Sequence, residues 1–257
     1  MLNGLTAAAI ALVAGAEAGL ALRLGLAMTA LQLAIGATND LVDAERDGAA
    51  GRRKPLPLGL LGRGSATMLA AGAAIGGLGL AASISPLVAG LAAVGLAVGL
   101  AYDLRLRSLG LGWLAFGVGL PLLVLYGWFG GAGSVGGPVI LLALAAAPAG
   151  FGLAIANGRR DVAADRSVGR TSLAVRLGPA SNRVAVLAYA TALGPVLAGL
   201  LVWGGRGIGL GLVAAGIGVL AVGLRLPAAA RAWEVQAVGL ALVAVGWLAA
   251  LQATGSI

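Results

Sequence analysis

The stretch Asn39-Asp40-Leu41-Val42-Asp43-Ala44-Glu45-Arg46-Asp47 concentrates charge at the end of a long apolar run. The chain has nine acidic residues, and four of them lie within this stretch. On a helix, Asp40, Asp43 and Asp47 fall at i, i+3 and i+7 and share one face, whereas Glu45 points elsewhere. Like charges at this spacing repel each other and weaken a helix. The stretch therefore predicts a cation between the carboxylates at the end of a helix.

The chain as a whole is too apolar for a water-soluble protein. Of its 257 residues, 60% are hydrophobic and 10% are charged, whereas soluble domains contain about 25% charged residues. Apolar stretches of roughly 17–25 residues alternate with short charged loops, which is typical of a polytopic helical membrane protein. We therefore expect an all-α fold that forms a single membrane-embedded domain over residues 1–257, surrounded by the lipid bilayer.

The apolar stretches predict about nine transmembrane helices around a central cavity. The first two are expected over about Leu2–Leu22 and Leu24–Thr38, separated by a loop at Arg23, and the second continues as helix into the acidic stretch. The other seven are expected over about Ser65–Ala82, Leu87–Tyr102, Leu109–Phe129, Pro138–Asn157, Val184–Trp203, Gly207–Leu224 and Val235–Leu251. Between the sixth and the seventh, residues 158–183 are expected to form a long charged loop.

A second acidic cluster follows the sixth predicted helix, in Asn157-Gly158-Arg159-Arg160-Asp161-Val162-Ala163-Ala164-Asp165-Arg166. On a helix, Asn157, Asp161 and Asp165 fall at i, i+4 and i+8 and again share one face. The chain contains no Cys and no His, so a metal ion must be held by oxygen ligands, which favours Mg²⁺, or Mn²⁺ in its place. Two carboxylate clusters that face each other across a cavity suit a diphosphate bound through Mg²⁺.

Basic side chains flank both clusters and can contact the phosphate oxygens. Guanidinium groups match phosphate geometry, and metal ions neutralise the charge that develops on a leaving diphosphate. The basic residues expected at such a site are Arg46, Arg52, Arg53, Lys54, Arg105, Arg159 and Arg160.

The distribution of basic residues predicts the orientation in the membrane. Fifteen of the seventeen lie in the loops after the second, fourth, sixth and eighth predicted helices, and the exceptions are Arg23 and Arg206. Because cytoplasmic loops are enriched in Lys and Arg, these loops, both acidic clusters and the N-terminus are expected in the cytoplasm. The net charge of +8 is explained in this way and predicts no nucleic-acid partner. The abundance of Arg, Ala, Gly and Leu indicates a high-GC bacterial source, hence an integral protein of the cytoplasmic membrane.

In its two acidic motifs the chain resembles the UbiA superfamily of intramembrane prenyltransferases. Asn39-Asp40-x-x-Asp43-x-x-x-Asp47 is similar to the NDxxDxxxD motif of that family, and Asp161-x-x-x-Asp165 is similar to its second DxxxD motif. Arg52-Arg53-Lys54-Pro55-Leu56-Pro57 is similar to the K/R-P-L/I run after the first motif, and residues 169–178 resemble the segment that follows the second. The resemblance covers nearly the whole chain, since the family also has nine spans with motifs after the second and the sixth.

The resemblance implies transfer of an isoprenyl group from a prenyl diphosphate to a lipophilic or aromatic acceptor, with Mg²⁺ as cofactor. The donor's C1–O bond ionises, and the acceptor attacks the allylic cation. The implied ligands of the Mg²⁺-diphosphate are Asp40, Asp43, Asp47, Asp161 and Asp165, with Asn39 and Asn157 as further polar contacts. An aromatic acceptor of the quinone-precursor kind is expected, while glycerol phosphate, sugar phosphate and tetrapyrrole acceptors stay open.

One segment departs from the family pattern. A Tyr followed by a basic residue is common after the fourth span, whereas here Tyr102 precedes Asp103, and Arg105 and Arg107 come later. Asp103 can orient Tyr102, act as a base, or form a salt bridge to Arg105 or Arg107. The candidate catalytic residues are therefore Asp40, Asp43, Asp161, Tyr102 and Asp103.

Three other classes of membrane protein remain as alternatives. A cation-coupled transporter would have charged residues near mid-membrane, but the predicted spans are nearly free of charge. A CDP-alcohol phosphotransferase needs a longer acidic motif, of which this chain contains only the fragment Asp47-Gly48. An inactive scaffold would not be expected to retain intact motif carboxylates.

Overall fold

The computed structural model of the chain describes residues 1–49, 51, 53–167, 169, 171–227 and 231–257, which form helices and connecting turns with no strand. The α-helices within these ranges are α1 Leu2–Val13, α2 Ala18–Ala49, α3 Arg63–Ala82, α4 Pro86–Ala101, α5 Gly112–Ala132, α6 Gly137–Arg160, α7 Val162–Ser167, α8 Leu173–Leu177, α9 Ser181–Val202, α10 Ile208–Arg225 and α11 Ala232–Gln252. A π-helical turn, Tyr102–Leu106, follows α4, and a 3₁₀ turn, Gly178–Ala180, precedes α9.

Eight helical segments in the described part of the chain are long and apolar enough to cross a membrane. They comprise α2 to α6, α9 with the short helix before it, α10 and α11. From the third predicted span onward, the observed α-helices begin and end within three residues of the predicted bounds. The polytopic all-α prediction is therefore confirmed.

The first two predicted spans were wrong at their boundary. Helix α1 has twelve residues, which corresponds to roughly 18 Å, less than the ~30 Å of a hydrocarbon core. The chain reverses direction at Gly15, whose φ of +91° favours glycine, and α2 begins at Ala18. Arg23 is therefore an exposed residue within α2 and not part of a loop.

The segment between the sixth and seventh predicted spans was also wrongly described as a loop. Helix α6 continues to Arg160, and α7, α8 and the 3₁₀ turn follow before α9 begins at Ser181. Ser172 starts α8 by accepting a hydrogen bond from the backbone N–H of Val175. This helical segment covers the end of the bundle where both acidic motifs lie.

Small residues and a few buried polar groups hold the bundle together. The α5–α6 and α10–α11 pairs pack closely, because a Cβ at Gly150 would lie 2.1 Å from the Phe116 carbonyl oxygen and one at Gly239 would lie 2.7 Å from a backbone nitrogen of α10. Tyr189 of α9 donates to Gln236 of α11, which in turn donates to a carbonyl of α10. These contacts fix α5, α6, α9 and α11, which line the cavities.

Candidate active site

The first acidic motif occupies the last turns of α2. Asp43 and Asp47 are almost fully buried, at 5% and 1% exposure, whereas Asp40 is half-buried. Lys54, in the loop after α2, folds back onto this face, with its Nζ 2.7 Å from an oxygen of Asp40 and 2.8 Å from an oxygen of Asp47. In this structure the cation between Asp40 and Asp47 is therefore the Lys54 ammonium.

Lys54 is charged in this position. Burial lowers the pKa of its amine, but hydrogen bonds and attraction to Asp40 and Asp47 outweigh burial, so the pKa lies above its usual value. The ion pairs are therefore present at neutral pH, and on the alkaline side their contribution is lost as the pH rises through that elevated pKa.

Asp43 contacts a different cation, Arg107, which follows the π-helical turn. Arg107 donates a short hydrogen bond to one oxygen of Asp43, and Arg46 lies 3.6 Å from the other. Burial lowers the pKa of the Arg107 guanidinium, but Tyr102 and Asp43 raise it by more, so Arg107 is cationic. A buried carboxylate of the first motif is thereby neutralised by a side chain from another helix.

The π-helical turn is also bonded to the start of the first motif. Asn39 Nδ2 donates to Asp103 Oδ1 over 2.9 Å, and Asp103 is buried at 7% exposure. The wide turn is closed by the Arg107 N–H, which donates to the Tyr102 carbonyl over 3.1 Å. Two side-chain bonds, Asn39–Asp103 and Asp43–Arg107, therefore connect α2 to this turn.

A polar cavity of about 570 Å³, including its open mouth, lies between the π-helical turn, α5, α6 and α8. Its polar lining comes from Tyr102, Arg107, Asn157, Asp161, Asp165 and Ser172. The second acidic motif therefore shares a cavity with Arg107, which contacts Asp43 of the first motif. Asp40, Asp43 and Asp47 lie behind Arg107 and outside the lining of the cavity. The backbone at Gly110 packs directly against residue Thr171 at the edge of the cavity. A Cβ at this position would lie 2.7 Å from the Thr171 carbonyl oxygen, so a glycine lets these two segments meet.

The second motif reaches the cavity by a different route from the one its spacing predicted. Asn157, Asp161 and Asp165 do not lie on one continuous helix, because α6 ends at Arg160 and Asp161 has φ −100° and ψ 4°. Beyond the hydrocarbon core the backbone is no longer compelled to remain in a single helix. The Asp165 N–H still donates to the Asp161 carbonyl over 2.8 Å, so α7 restarts at once and all three side chains line the cavity.

Aromatic rings form one wall of the polar cavity. Tyr102 and Phe116 pack edge to face at 5.8 Å between ring centroids, and Trp113 packs in the same way on Phe151 at 5.5 Å. Tyr102, Trp113 and Phe116 line the cavity. Such rings can stabilise a nearby cation through their faces.

An apolar cavity of about 720 Å³, including its open mouth, adjoins the polar one. Helix α6 lines the apolar cavity from Leu142 to Leu153 and the polar cavity from Ala154 onward. On α5, Leu120 lines the apolar cavity one turn after Phe116 lines the polar one. The two cavities are therefore consecutive along the same two helices, and helices α1, α9 and α11 complete the apolar walls.

The sequence model of the UbiA prenyltransferase family matches residues 1–241. The chain belongs to the UbiA prenyltransferase family. It is therefore a prenyltransferase, and the resemblance seen in its two motifs is confirmed. A comparison with curated proteins finds no significant match.

Solved structures of UbiA proteins share this fold. The apo structure of a UbiA homologue from Aeropyrum pernix K1 superposes with a TM-score of 0.77 at 22% sequence identity, covering 95% of each chain. A structure described as a digeranylgeranylglyceryl phosphate synthase in membranes superposes with a TM-score of 0.71 at 19% identity, covering 98% of this chain and 92% of that one. At these identities the likeness establishes the fold alone.

The basic residues proposed for this UbiA prenyltransferase occupy different environments. Arg53 and Arg105 are exposed, and Arg160 is exposed with its Nε 4.0 Å from Asp161. Arg159 donates to Asn182 on α9 over 2.6 Å. Arg52 lies outside the described residues. Lys54 and Arg46 are the proposed basic residues that contact first-motif carboxylates.

Arg107 is the functional candidate that sequence reasoning left out of the site. In an ordinary α-helix Arg105, three residues after Tyr102, would share its face, and Arg107, five residues after it, would not. The π-helical turn turns Arg107 into the polar cavity and leaves Arg105 exposed. The signal available in the sequence was the cluster of charges directly after an apolar span.

Proposed function

We propose that this prenyltransferase binds a prenyl diphosphate with its head group in the polar cavity and its tail in the apolar cavity, and transfers the isoprenyl group to an acceptor with the help of Mg²⁺. One observation supports this most directly. A cavity lined by carboxylates, an arginine and aromatic rings is followed along α5 and α6 by an apolar cavity. An amphipathic substrate with a charged head and a hydrocarbon tail fits a polar cavity and an apolar cavity in this order.

The residues present fit a hard divalent cation. No three acidic side chains of the described residues converge closely enough to hold a metal ion alone, and Mg²⁺ is usually bound by one or two carboxylates together with water and substrate phosphates. Oxygens of Asp40 and Asp47 lie 2.7 and 2.8 Å from one Lys54 nitrogen, so they already converge on a positive charge. Asp161 and Asp165 offer further carboxylate oxygens inside the polar cavity, on the other side of Arg107.

In this proposal Asp161 and Asp165 hold Mg²⁺ and the diphosphate from within the polar cavity, and Asp40, Asp43 and Asp47, which lie behind Arg107, reach them once Arg107 and Lys54 turn from these carboxylates to the phosphates. When bound, the metal would neutralise negative charge on the departing diphosphate. Arg107 binds a phosphate oxygen through its guanidinium. Asn157 donates its amide N–H in the same cavity. Lys54 must leave the Asp40–Asp47 pair when the metal binds, and its ammonium is then available to a phosphate.

The chemistry that follows needs a cavity that stabilises positive charge and limits access of water. The C1–O bond of the donor breaks, and its electron pair leaves with the diphosphate. The faces of Tyr102, Trp113 and Phe116 stabilise the allylic cation, and the apolar walls exclude water from it. The acceptor donates an electron pair to C1 and loses a proton.

An aromatic acceptor is the first candidate, because the aromatic wall of the polar cavity offers ring edges and faces to a flat molecule. An acceptor of the lipid glycerol phosphate class is the second candidate. The structural likeness to a digeranylgeranylglyceryl phosphate synthase supports it, and a second phosphate would find the exposed Arg160 beside Asp161.

We further propose that the site faces the cytoplasm of a bacterium. Arg46, Lys54, Arg107, Arg159 and Arg160 all lie at the end of the bundle that contains the two acidic motifs. Loops rich in Lys and Arg remain on the cytoplasmic side.

Product formation tests the proposed function. Purified protein in lipid nanodiscs would receive geranylgeranyl diphosphate together with either a hydroxybenzoate or naphthoate acceptor or a prenylated glycerol phosphate, with Mg²⁺ or with chelator, and products would be identified by mass spectrometry. We expect a prenylated product from one acceptor class that disappears with chelator. Equal product formation with chelator would overturn the proposed role of the metal, and release of diphosphate without any prenylated acceptor would overturn the proposed transfer.

A further inference from the structure

Asp103 lies beside the active site without facing it. Its neighbour Tyr102 and the nearby Arg107 line the polar cavity, whereas Asp103 does not. Its carboxylate is buried and points to α2, where Asn39 lies. A carboxylate outside the lining of the cavity is not placed to take a proton directly from an acceptor bound there.

The bond to Asn39 is the one hydrogen bond that Asp103 makes among the described residues, and the other carboxylate oxygen, Oδ2, is buried without a hydrogen-bond partner there. A buried carboxylate is retained only where its bonds offset the loss of hydration. Loss of the Asn39 donor would therefore leave Asp103 without any hydrogen bond, and we expect the turn to move so that water can reach it.

The turn held by this bond determines where two cavity residues point. In an α-helix, residues five apart differ in direction by roughly 140°, so Tyr102 and Arg107 would face different sides. Here the i→i+5 bond between the Arg107 N–H and the Tyr102 carbonyl widens the turn, and both side chains line one cavity. A wide turn of this kind is rare and needs support from outside the helix.

We propose that Asp103 is a positioning residue: the Asn39–Asp103 bond anchors the π-helical turn to α2, so that Tyr102 and Arg107 face the donor's diphosphate. This inference rests on the proposed function, since the diphosphate is the ligand that Arg107 would meet. It replaces the candidate role of Asp103 as a catalytic base, and it makes Asn39 one of the two α2 residues that hold the turn, beside Asp43.

The matched variants separate the hydrogen bond from the charge. Asp103→Leu removes the acceptor at similar size, and Asp103→Asn retains an oxygen that accepts from Asn39. The exchanged pair Asn39→Asp with Asp103→Asn reverses donor and acceptor. Leu104→Ala serves as control, because Leu104 belongs to the same turn and is 61% exposed.

The readouts are the KM for prenyl diphosphate, the kcat and the pH profile, together with the donor-induced rise in thermal stability. We expect Asp103→Leu to raise the KM by about tenfold or more, the size of effect expected for a bond to a charged group. Asp103→Asn should raise the KM only a few-fold and leave the pH dependence of the rate unchanged. Asn39→Asp alone brings two carboxylates together and should raise the KM for prenyl diphosphate. The exchanged pair should return the KM most of the way to the wild-type value.

A general base would behave in the opposite way. Asp103→Asn would then lower kcat by about a hundredfold at unchanged KM and remove one limb of the pH profile, and this result would overturn the inference. An exchanged pair no better than Asn39→Asp alone would overturn it as well, even if Asp103→Leu fails to fold. If the wild-type protein binds no prenyl diphosphate, the proposed function fails instead, and the two failures are thereby distinguished.

Discussion

Asp40 and Asp161 belong to motifs on either side of Arg107, and each is expected to be essential. Replacement of either by Asn retains size and hydrogen bonding but removes the charge that attracts a cation. We expect turnover to fall by about 10²–10³-fold, as when one strong electrostatic contact to a developing charge is lost, while membrane insertion is unaffected. The measurement is the rate of prenyl transfer by protein purified to equal helical content.

Glu45→Gln is the matched control for these two variants. Glu45 lies in the same helical turns of α2 as the first motif but is exposed, so its loss should change the rate less than twofold. Full activity in either aspartate variant would contradict the site assignment.

At the residue scale, the spacing of the first motif predicts which carboxylates share a face, because α2 is a continuous helix with a fixed period. The same argument does not hold for the second motif, because α6 ends at Arg160 before Asp161 and Asp165. The spacing could not identify Arg107 or the partner of Asp103, because the π-helical turn changes which residues share a face. It also could not show that Lys54 occupies the gap between Asp40 and Asp47, since that contact depends on the path of a loop.

At the scale of one element, the loop that contains Lys54 is expected to compete with the metal. Lys54→Met removes the ammonium and leaves Asp40 and Asp47 to repel each other, so Mg²⁺ alone should raise the melting temperature of this variant and leave that of the wild-type protein nearly unchanged. The measurement is the melting temperature against Mg²⁺ concentration, without prenyl diphosphate. The control is Arg63→Met at the exposed start of α3, and identical Mg²⁺ responses in all three proteins would show that Lys54 does not compete.

The α5–α6 pair sets the width of the polar cavity. A Cβ at Gly150 would lie 2.1 Å from the Phe116 carbonyl oxygen, so Gly150→Ala must push the helices apart. We expect a loss of about 1–3 kcal/mol in stability and weaker donor binding. Gly119→Ala on α5 is the control, because nothing lies within 4 Å of a Cβ there. A melting temperature and a donor affinity equal to those of this control would contradict the packing account.

Element boundaries were predictable wherever the bilayer dictated them. From α3 onward, the apolar length of each span matched an observed helix closely, since a spanning helix must satisfy its backbone within the membrane. The prediction failed at Gly15, where a turn interrupts a continuous apolar run, and after Asn157, where helices continue beyond the membrane. The hydrophobicity of the sequence indicates neither the turn at Gly15 nor the helices that follow Asn157.

At the scale of the whole molecule, the apolar cavity predicts which donor lengths are accepted. Its lining on α6 from Leu142 to Leu153 spans roughly 16 Å, and C–C bonds of about 1.5 Å make an extended isoprene unit on the order of 5 Å long. About three units therefore fit in the apolar cavity, beyond a first unit whose C1 lies at the aromatic rings of the polar cavity. Ala145→Phe should obstruct the far part of the cavity and shift preference from geranylgeranyl or farnesyl diphosphate to geranyl diphosphate by about tenfold in kcat/KM.

Leu144→Phe is the control for this prediction, because Leu144 lies on the outer face of α6 at 67% exposure. Its donor preference should match that of the wild-type protein. An unchanged preference in Ala145→Phe would mean that the tail lies elsewhere.

The central claim is that a prenyl diphosphate and Mg²⁺ bind together at the two acidic motifs. The most direct measurement is the melting temperature of the wild-type protein and of Asp161→Asn, with geranylgeranyl diphosphate, with Mg²⁺ and with both. A ligand at 100 times its Kd stabilises by about 2.7 kcal/mol. The account predicts a clear rise in the wild-type protein only when both are present, and little or none in Asp161→Asn. An equal rise with the donor in chelator, or an undiminished rise in Asp161→Asn, would contradict it.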